Sequence, residues 1–193
     1  MKAKALMVIL VLCVIGGGAA YDMLLRPKPY TRPAAPAPAP DKEQWQPVPD
    51  VRLTTLDGNT VGLTELAGKV VLLNFWATWC PTCIKDFPGM KKTADRYNGD
   101  VVIVALSNDE DEQDIERFLL KYKEMYGQDL SADNFIICWD KGRNITSNVF
   151  NTARFPETIL ISRNSRMAHK LIGEVEWESA EVRSVIEGLV KSR

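Results

Sequence analysis

The sequence predicts an α/β fold in which buried strands alternate with helices. Two continuous apolar runs, one beginning at Val70 and one over residues 101–106, are typical of strands that are buried on both faces of a sheet. Between them lies a helical segment, residues 81–97, which ends at the turn residues Asn98 and Gly99. A strand, a helix and a strand at this spacing form a βαβ unit. We therefore expect a mixed central sheet flanked by helices.

Length and charge limit the kind of protein this is. The chain has 193 residues, enough for one ordinary domain with additional segments. Its 24 basic and 25 acidic side chains give a net charge of −1. A charge so nearly balanced gives no support for a nucleic-acid partner.

The first 25 residues predict a membrane segment. Lys2 and Lys4 precede an apolar run over residues 5–20, which would reach roughly 24 Å as a helix. A hydrocarbon core is ~30 Å thick, so the run spans it only if residues 21–25 continue the helix. Two interpretations stay open: a signal peptide cleaved after Gly18-Ala19-Ala20, or an uncleaved signal-anchor, which the apolar residues that follow favour.

Residues 26–47 are predicted to be a linker. Pro and Ala dominate residues 33–40, and such a segment neither buries much apolar surface nor has an N–H at its prolines. It should be extended and semi-rigid, roughly 25 Å long at 3.1 Å per residue. We interpret it as a stalk between a membrane and a folded domain, residues 48–193, in preference to a proline-rich ligand for another domain.

The start of that domain predicts a β-hairpin. Residues 51–56 alternate in polarity and meet the turn signal Asp57-Gly58-Asn59, after which residues 60–63 form the returning strand. Residues 64–66 predict a short helical turn before the first apolar run. The hairpin would precede the βαβ unit in the chain.

The second half of the chain predicts further strands and helices. The acidic residues 109–112 are interpreted as a helix start, with Asp109 as the N-cap and Glu112 at the third position of a capping box, rather than as a metal site. That helix would cover residues 113–126. A buried strand at 135–139 carries Cys138, interpreted as a small apolar core residue. The remaining elements are a short helix, two strands and an amphipathic helix, over residues 144–150, 159–161, 167–172 and 179–191.

Cys80-Pro81-Thr82-Cys83 lies at the junction of the first strand and its helix. Pro81 suits a first helical turn, because its missing N–H would have no partner there and its φ is already helical. The Cys80 sulfur would then lie at a helix N-terminus, where free N–H groups and the helix dipole favour the thiolate. Cys83 would lie one turn further in, close enough to form a disulfide and better shielded from solvent.

Two other interpretations of this motif have less support. Zinc requires four N or S ligands, and the remaining candidates, Cys13, Cys138 and the single histidine His169, form no second ligand pair. A purely structural disulfide in so short a loop would constrain the unfolded chain little. Redox exchange is therefore the favoured function.

The residues around the dithiol resemble the active-site stretch of the thioredoxin superfamily. Residues 74–83, Asn-Phe-Trp-Ala-Thr-Trp-Cys-Pro-Thr-Cys, and the following Ile-Lys-Asp-Phe-Pro are similar to the membrane-anchored TlpA/ResA/CcmG (DsbE) branch. The resemblance covers about residue 48 to the C-terminus. It implies a thioredoxin-like fold with an added N-terminal β-hairpin. It also implies a single-pass tether in the inner (cytoplasmic) membrane, with the domain facing the periplasm or the cell exterior.

The resemblance further implies roles for individual residues. Cys80 would attack a disulfide and Cys83 would resolve the mixed disulfide, with Trp79, Pro81 and Thr82 as supporting residues.

A second part of the site follows from the same resemblance. In this superfamily a cis-proline opens the strand that faces the dithiol, and Pro156, preceded by Phe155 and followed by Glu157, matches its place. A proline at the first residue of a strand, and a cis bond before it, are independently allowed. We therefore expect residues 155–157 beside the cysteines.

Proton transfer to and from Cys83 needs an acid or a base. Thioredoxin itself carries a buried Asp where this chain has Asn74, and an amide cannot act as one. Asp86 is the first candidate, because it follows Cys83 by three residues and so shares its helix face. An exposed surface carboxylate is the alternative interpretation of Asp86, and Glu157 is the second candidate.

The sequence therefore predicts a thiol-disulfide oxidoreductase for protein substrates, and we identify no metal and no cofactor for it. No cation lies between the cysteines to stabilise the thiolate, which favours a reducing dithiol. The resemblance implies a reductant, for instance of apocytochrome c disulfides during cytochrome c maturation, that receives electrons from a membrane donor of the DsbD/CcdA type.

Three alternatives remain at this point. A general reductase of mispaired disulfides is the first of them. A peroxiredoxin-like peroxidase is less favoured, because the sequence frame of that family requires Thr where this chain has Ala77. A non-enzymatic assembly module would have no use for the dithiol.

Overall fold

The computed structural model describes residues 44–130 and 132–192, which form a mixed sheet with three α-helices. The strands are β1 Gln46–Pro47, β2 Arg52–Thr55, β3 Thr60–Gly62, β4 Val70–Trp76, β5 Val101–Ser107, β6 Phe135–Trp139, β7 Glu157–Ile161 and β8 Arg166–Ile172. The helices are α1 Pro81–Arg96, α2 Glu112–Tyr126 and α3 Ala180–Lys191. Short helical turns cover Leu63–Leu66, Lys141–Arg143 and Ile145–Val149.

The strands are ordered β1-β8-β7-β4-β5-β6-β2-β3 in one sheet. Strands β4, β5 and β6 are parallel neighbours, whereas β7 runs antiparallel to β4 on its other side. Every residue of β4 and β5 is buried, as their continuous apolar character predicts. The predicted βαβ unit and the mixed sheet flanked by helices are confirmed.

Alternate side chains of β4 enter two hydrophobic clusters, one on each face of the sheet. Leu72 and Trp76 belong to the first cluster, which also contains the buried side chains of α1, α2 and α3. Leu73 and Phe75 belong to the second cluster, which the Leu63–Leu66 turn and the hairpin strand β2 help to cover. The face on which a strand residue lies therefore decides whether it can approach α1.

The predicted hairpin is present as β2 and β3. Gly58 has a φ of 81° in its turn, a backbone conformation that favours glycine. Strand β2 pairs antiparallel with β6, so the hairpin extends the sheet at the far side from β4.

The predicted linker, residues 26–47, extends too far, because its last residues belong to the folded domain. Trp45 is buried in the first hydrophobic cluster, and Gln46 pairs with Met167 where β1 joins β8. The Arg166 guanidinium also donates to the Trp45 carbonyl at 2.8 Å. Burial of a large indole and closure of a sheet edge bring residues 45–47 into the domain.

The predicted signal-anchor and most of the predicted linker lie outside the described residues. Within the described part of the chain, no helix is long and apolar enough to cross a membrane.

The predicted cap of α2 is wrong. Asp111 is the N-cap, and its side chain accepts a hydrogen bond from the Gln113 N–H at 3.0 Å. Asp109 lies two residues earlier, where the carboxylate is buried against other partners described below. Two acids in one run both suit a helix start, and the tertiary contacts of Asp109 decide between them.

The predicted short helix over residues 144–150 is reduced to one turn of π type, Ile145–Val149. Its first N–H groups, those of Ile145 and Thr146, are capped by the buried Asp140 carboxylate at 3.2 Å and 2.7 Å. Asp140 thereby fixes the turn at the end of β6.

Candidate functional site

The two cysteines of the motif meet where β4 leads into α1. Cys80 is the N-cap of α1, Pro81 is the first helical residue, and Cys80 and Cys83 are joined by a disulfide bond. The Cys80 Sγ accepts the Cys83 N–H at 3.3 Å and lies 3.6 Å from the Thr82 hydroxyl. Cys80 is 5% exposed and Cys83 is 0% exposed. Cys80 is therefore the sulfur that a substrate can reach.

An aromatic pair lies beside this disulfide. The Trp79 ring is 60% exposed, and its centroid lies 5.8 Å from that of the Phe155 ring in an edge-on arrangement. The Phe155–Pro156 peptide bond is cis, and the Pro156 carbonyl accepts the Gly173 N–H at 2.8 Å. The structure thus places the segment before β7 next to the residue that precedes Cys80.

Asp86 is buried, so the interpretation as an exposed surface carboxylate is wrong. The side chain is 3% exposed, and its Oδ1 accepts the Val175 N–H at 3.4 Å. Burial raises the pKa of Asp86 to about 7, while the Val175 N–H and the Trp177 indole act in the opposite direction. The indole lowers this pKa although its Nε1–H and the Asp86 Oδ2 do not reach hydrogen-bond geometry.

Glu157 lies on the other face of the sheet from Cys83. It pairs in register with Phe75 of the second cluster, whereas Cys83 packs in the first cluster. Its carboxylate accepts the Thr152 hydroxyl at 2.5 Å and forms an ion pair with Lys170 at 2.8 Å. These contacts give Glu157 a structural role at the start of β7.

Asn74 precedes Phe75 by one residue in β4 and therefore lies on the opposite face of the sheet, the face that carries Cys83. It is fully buried, and its Nδ2 donates to the Thr158 hydroxyl at 2.9 Å. This amide links β4 to β7 without a charge in the core. Of the two acids considered from sequence, the structure places Asp86 alone on the face of the sheet that carries Cys83.

Asp109 holds the backbone that leads to Cys80, a role that the sequence did not suggest. Its carboxylate accepts the Thr78 N–H at 3.0 Å and the Thr78 hydroxyl at 2.7 Å. It also accepts the Ser107 hydroxyl at 2.7 Å, and the Trp139 indole donates to its carbonyl at 2.9 Å. Asp109 therefore ties the end of β5 to the segment between β4 and α1. One signal was available in the sequence: carboxyl ends of neighbouring parallel strands meet at the same edge of a sheet.

The third cysteine of the described residues and the histidine lie apart from this arrangement. Cys138 is buried in the second cluster, as predicted, and burial raises the pKa of its thiol to about 12. His169 is half-buried on β8, and burial lowers its pKa. Neither group is among the contacts of the two redox cysteines given above.

Comparison with known protein families finds one family model that matches most of the chain. Residues 43–186 match the family model described as Redoxin. The chain belongs to the Redoxin family. A ResA thiol-disulfide oxidoreductase of Bacillus cereus is 34% identical over 145 residues, which cover 73% of this chain and 78% of the relative. The thioredoxin-like protein YneN of Bacillus subtilis is 34% identical over 142 residues, which cover 72% and 77%.

Comparison with solved structures also finds a thiol-disulfide exchange protein with a similar fold. The crystal structure assigned as a thiol:disulfide interchange protein DsbE from Chlorobium tepidum superimposes with a TM-score of 0.64 at 25% identity. The match covers 76% of this chain and 96% of that chain. The thioredoxin-like fold and the predicted family are confirmed. With its Cys80–Cys83 pair, this redoxin is a thiol-disulfide oxidoreductase of the ResA and DsbE type.

The Asp109 contacts predict an effect on exchange rate. The Asp109 carboxylate accepts every hydrogen bond that it makes with Thr78 and Ser107. In Asp109→Asn an NH₂ group replaces one carboxylate oxygen, so at least one of these donors, such as the Thr78 backbone N–H, loses its acceptor or faces another donor. We expect disulfide exchange with insulin to slow by about tenfold, because small displacements of reacting groups cost this much or more. Stopped-flow or turbidity measurements of insulin reduction would show it.

Asp111→Asn is the matched control for that variant. It makes the same chemical change two residues away, and Asn caps a helix about as well as Asp. Its exchange rate and melting temperature should stay close to those of the unmodified protein. Equal rates for the two variants would contradict the positioning role of Asp109.

Proposed function

We propose that this redoxin is a reductant of protein disulfides. The observation that carries the proposal is the surroundings of the Cys80 sulfur: its hydrogen-bond contacts among the described residues are the Cys83 N–H and the Thr82 hydroxyl, both uncharged. A strongly oxidising dithiol requires an unusually stabilised thiolate, because stabilising the reduced form raises the potential. The Cys80 thiolate would have only two neutral donors and the helix dipole to stabilise it, with no charged partner in the described part of the chain, and this limited stabilisation favours a reducing dithiol instead.

The proposed reaction has two exchange steps. The Cys80 thiolate attacks one sulfur of a substrate disulfide, forming a mixed disulfide and releasing the other substrate sulfur as a thiolate. The Cys83 thiol then loses its proton, and its sulfur attacks Cys80 to form the Cys80–Cys83 disulfide and release the second substrate thiolate. The substrate gains two electrons, and the dithiol loses them.

Asp86 is the base in the second step. It follows Cys83 by one helical turn on the same face of α1, and a carboxyl group that titrates near neutral pH can both take and return a proton. A groove of about 510 Å³ lies beside it, with Lys85 and Gly89 on one wall and residues 175–179 on the other. Val175 lines this groove and its N–H contacts Asp86, so we propose the groove as the path by which the carboxyl exchanges protons with solvent.

Asp86→Asn tests this role through the pH dependence of exchange. In the unmodified protein the rate should rise as pH passes through about 7, where the Asp86 carboxyl ionises. The variant should be slower above that pH by roughly tenfold or more, the effect of losing a general base, and should lack the inflection. Rates of insulin reduction from pH 5 to pH 9 would measure it. An unchanged profile would contradict the role.

The same variant carries an internal control in its stability. Because the folded pKa lies above the ordinary 3.8, the folded state binds more protons than the unfolded state between pH 4 and 7. The free energy of unfolding of the unmodified protein therefore falls across this range, by roughly 4 kcal/mol at most. Asp86→Asn has no such loss, so it should be the more stable protein above pH 7. Slower exchange by a more stable protein cannot be attributed to unfolding.

Apocytochrome c is the substrate we propose, on the family resemblance, with a membrane electron donor of the DsbD/CcdA type. In Cys83→Ala the mixed disulfide on Cys80 cannot be resolved, so substrates should stay attached to the protein in cells. Mass spectrometry of the trapped species should identify apocytochrome c, and the Cys80→Ala variant should trap nothing. A broad set of disulfide proteins without apocytochrome c would support the alternative, a general reductase of mispaired disulfides.

The proposed location is the outer face of the cytoplasmic membrane, with residues 1–25 as the anchor. The support is the apolar segment followed by the Pro/Ala-rich stalk. Protease added to intact spheroplasts should release a soluble fragment containing residues 44–192, while a cytoplasmic marker enzyme stays intact. Complete protection of the domain would contradict this location.

A further inference from the structure

A basic turn lies at the edge of the aromatic pair beside Cys80. The turn Lys141–Arg143 follows β6, and the Arg143 guanidinium lies over the Phe155 ring, 5.3 Å from its centroid. Phe155 in turn contacts Trp79, the residue before Cys80. We call Trp79, Phe155 and Arg143 the arginine-aromatic surface.

Hydrogen bonds of Asp140, the residue before the turn, fix the backbone of this turn. Asp140 is buried, its N–H donates to the Ser107 carbonyl at 2.9 Å, and its carbonyl accepts the Arg143 N–H at 2.8 Å. Its carboxylate is occupied by the backbone N–H groups of Ile145 and Thr146. The position of Arg143 is therefore set by the end of the sheet, which lowers the cost of using its side chain in binding.

The charge on this surface has no ion-pair partner among the described residues. Arg143 and its neighbour in the turn, Lys141, are exposed, and neither forms an ion pair with another described residue. The Lys141 ammonium lies over the Trp139 ring at 5.6 Å, so both cations of the turn rest on aromatic faces. A guanidinium held in this way keeps its N–H edges available for a carboxylate.

We propose that the arginine-aromatic surface binds disulfide-bearing peptide segments with Glu or Asp beside the reacting cysteine, and that Arg143 selects them. The aromatic rings would bind the segment through apolar contact, and Arg143 would pair with its carboxylate. This inference rests on the proposed function only in requiring that the protein reduces peptide disulfides. It adds the charge of the substrate, which nothing in the dithiol itself determines.

Matched peptides test the inference. Two synthetic peptides with one disulfide each would differ only in having Glu or Lys beside the cysteines, and the second-order rate of their reduction by the pre-reduced full-length protein would be measured. We expect the Glu peptide to react about fivefold faster, since one exposed charge pair is worth about 1 kcal/mol in water. In 0.5 M NaCl the preference should fall, because salt screens exposed charges.

Arg143→Gln should reduce the preference to less than twofold. Lys69→Gln is the matched control, because Lys69 is exposed, precedes β4 at the end of the sheet opposite the dithiol, and forms no ion pair with a described residue. It removes the same charge and should leave both rates unchanged.

Three results of these peptide experiments would overturn the inference. Equal rates for the two peptides with the unmodified protein would show that the surface does not select charge. A preference that survives in Arg143→Gln, or that Lys69→Gln abolishes equally, would show that Arg143 is not the selecting residue. Failure to reduce either peptide would overturn the proposed function as well, so the two failures are distinguishable.

Discussion

The position of β4 is the constraint on which the rest of this structure depends. Its seven residues are buried; all seven pair with β5 on one side, and residues 71–75 pair with β7 on the other. A strand held in this way has little freedom at its end, where Cys80 follows. The same pairing brings the start of β7, and hence Pro156, to the level of that end, since Phe75 pairs with Glu157. Both parts of the redox site are therefore consequences of one strand's register.

The elements that sequence predicted well are those encoded by local pattern. The buried strands, the βαβ unit and the start of α1 at Pro81 follow from apolar runs and from a proline that suits a first helical turn. The predictions that were wrong, the N-cap of α2 and the end of the linker, share a different cause. Asp109 and Asp111 are equally good caps by sequence, and Trp45 follows a stretch that reads as linker. Their roles are decided by partners on other strands: Thr78 and Ser107 for Asp109, and the first cluster and β8 for Trp45.

Asp86 shows the same limit within the site itself. Its spacing from Cys83 was readable in the sequence, but its burial was not, because the Val175 N–H that contacts it lies 89 residues away. The segment around Trp177 closes over α1 at Gly89, where an added Cβ would lie 3.0 Å from the Trp177 side chain. Small size at residue 89 is thus what lets a loop cover the helix and desolvate the carboxyl. The ionisable group sits at the helix surface beneath a loop, while the strand position in the core, Asn74, is neutral.

The two edges of the sheet have a consequence for the association of this protein with other chains. A chain that offers unpaired backbone can be recruited into an intermolecular sheet by an exposed edge strand of matching length. Here the outermost strands are β1, with two residues, one of which is Pro47, and β3, with three. Pro47 has no N–H to donate, and neither edge is long enough to template a partner. The long apolar strands that build the redox site lie in the interior of the sheet, so none of them offers an unpaired edge to another chain.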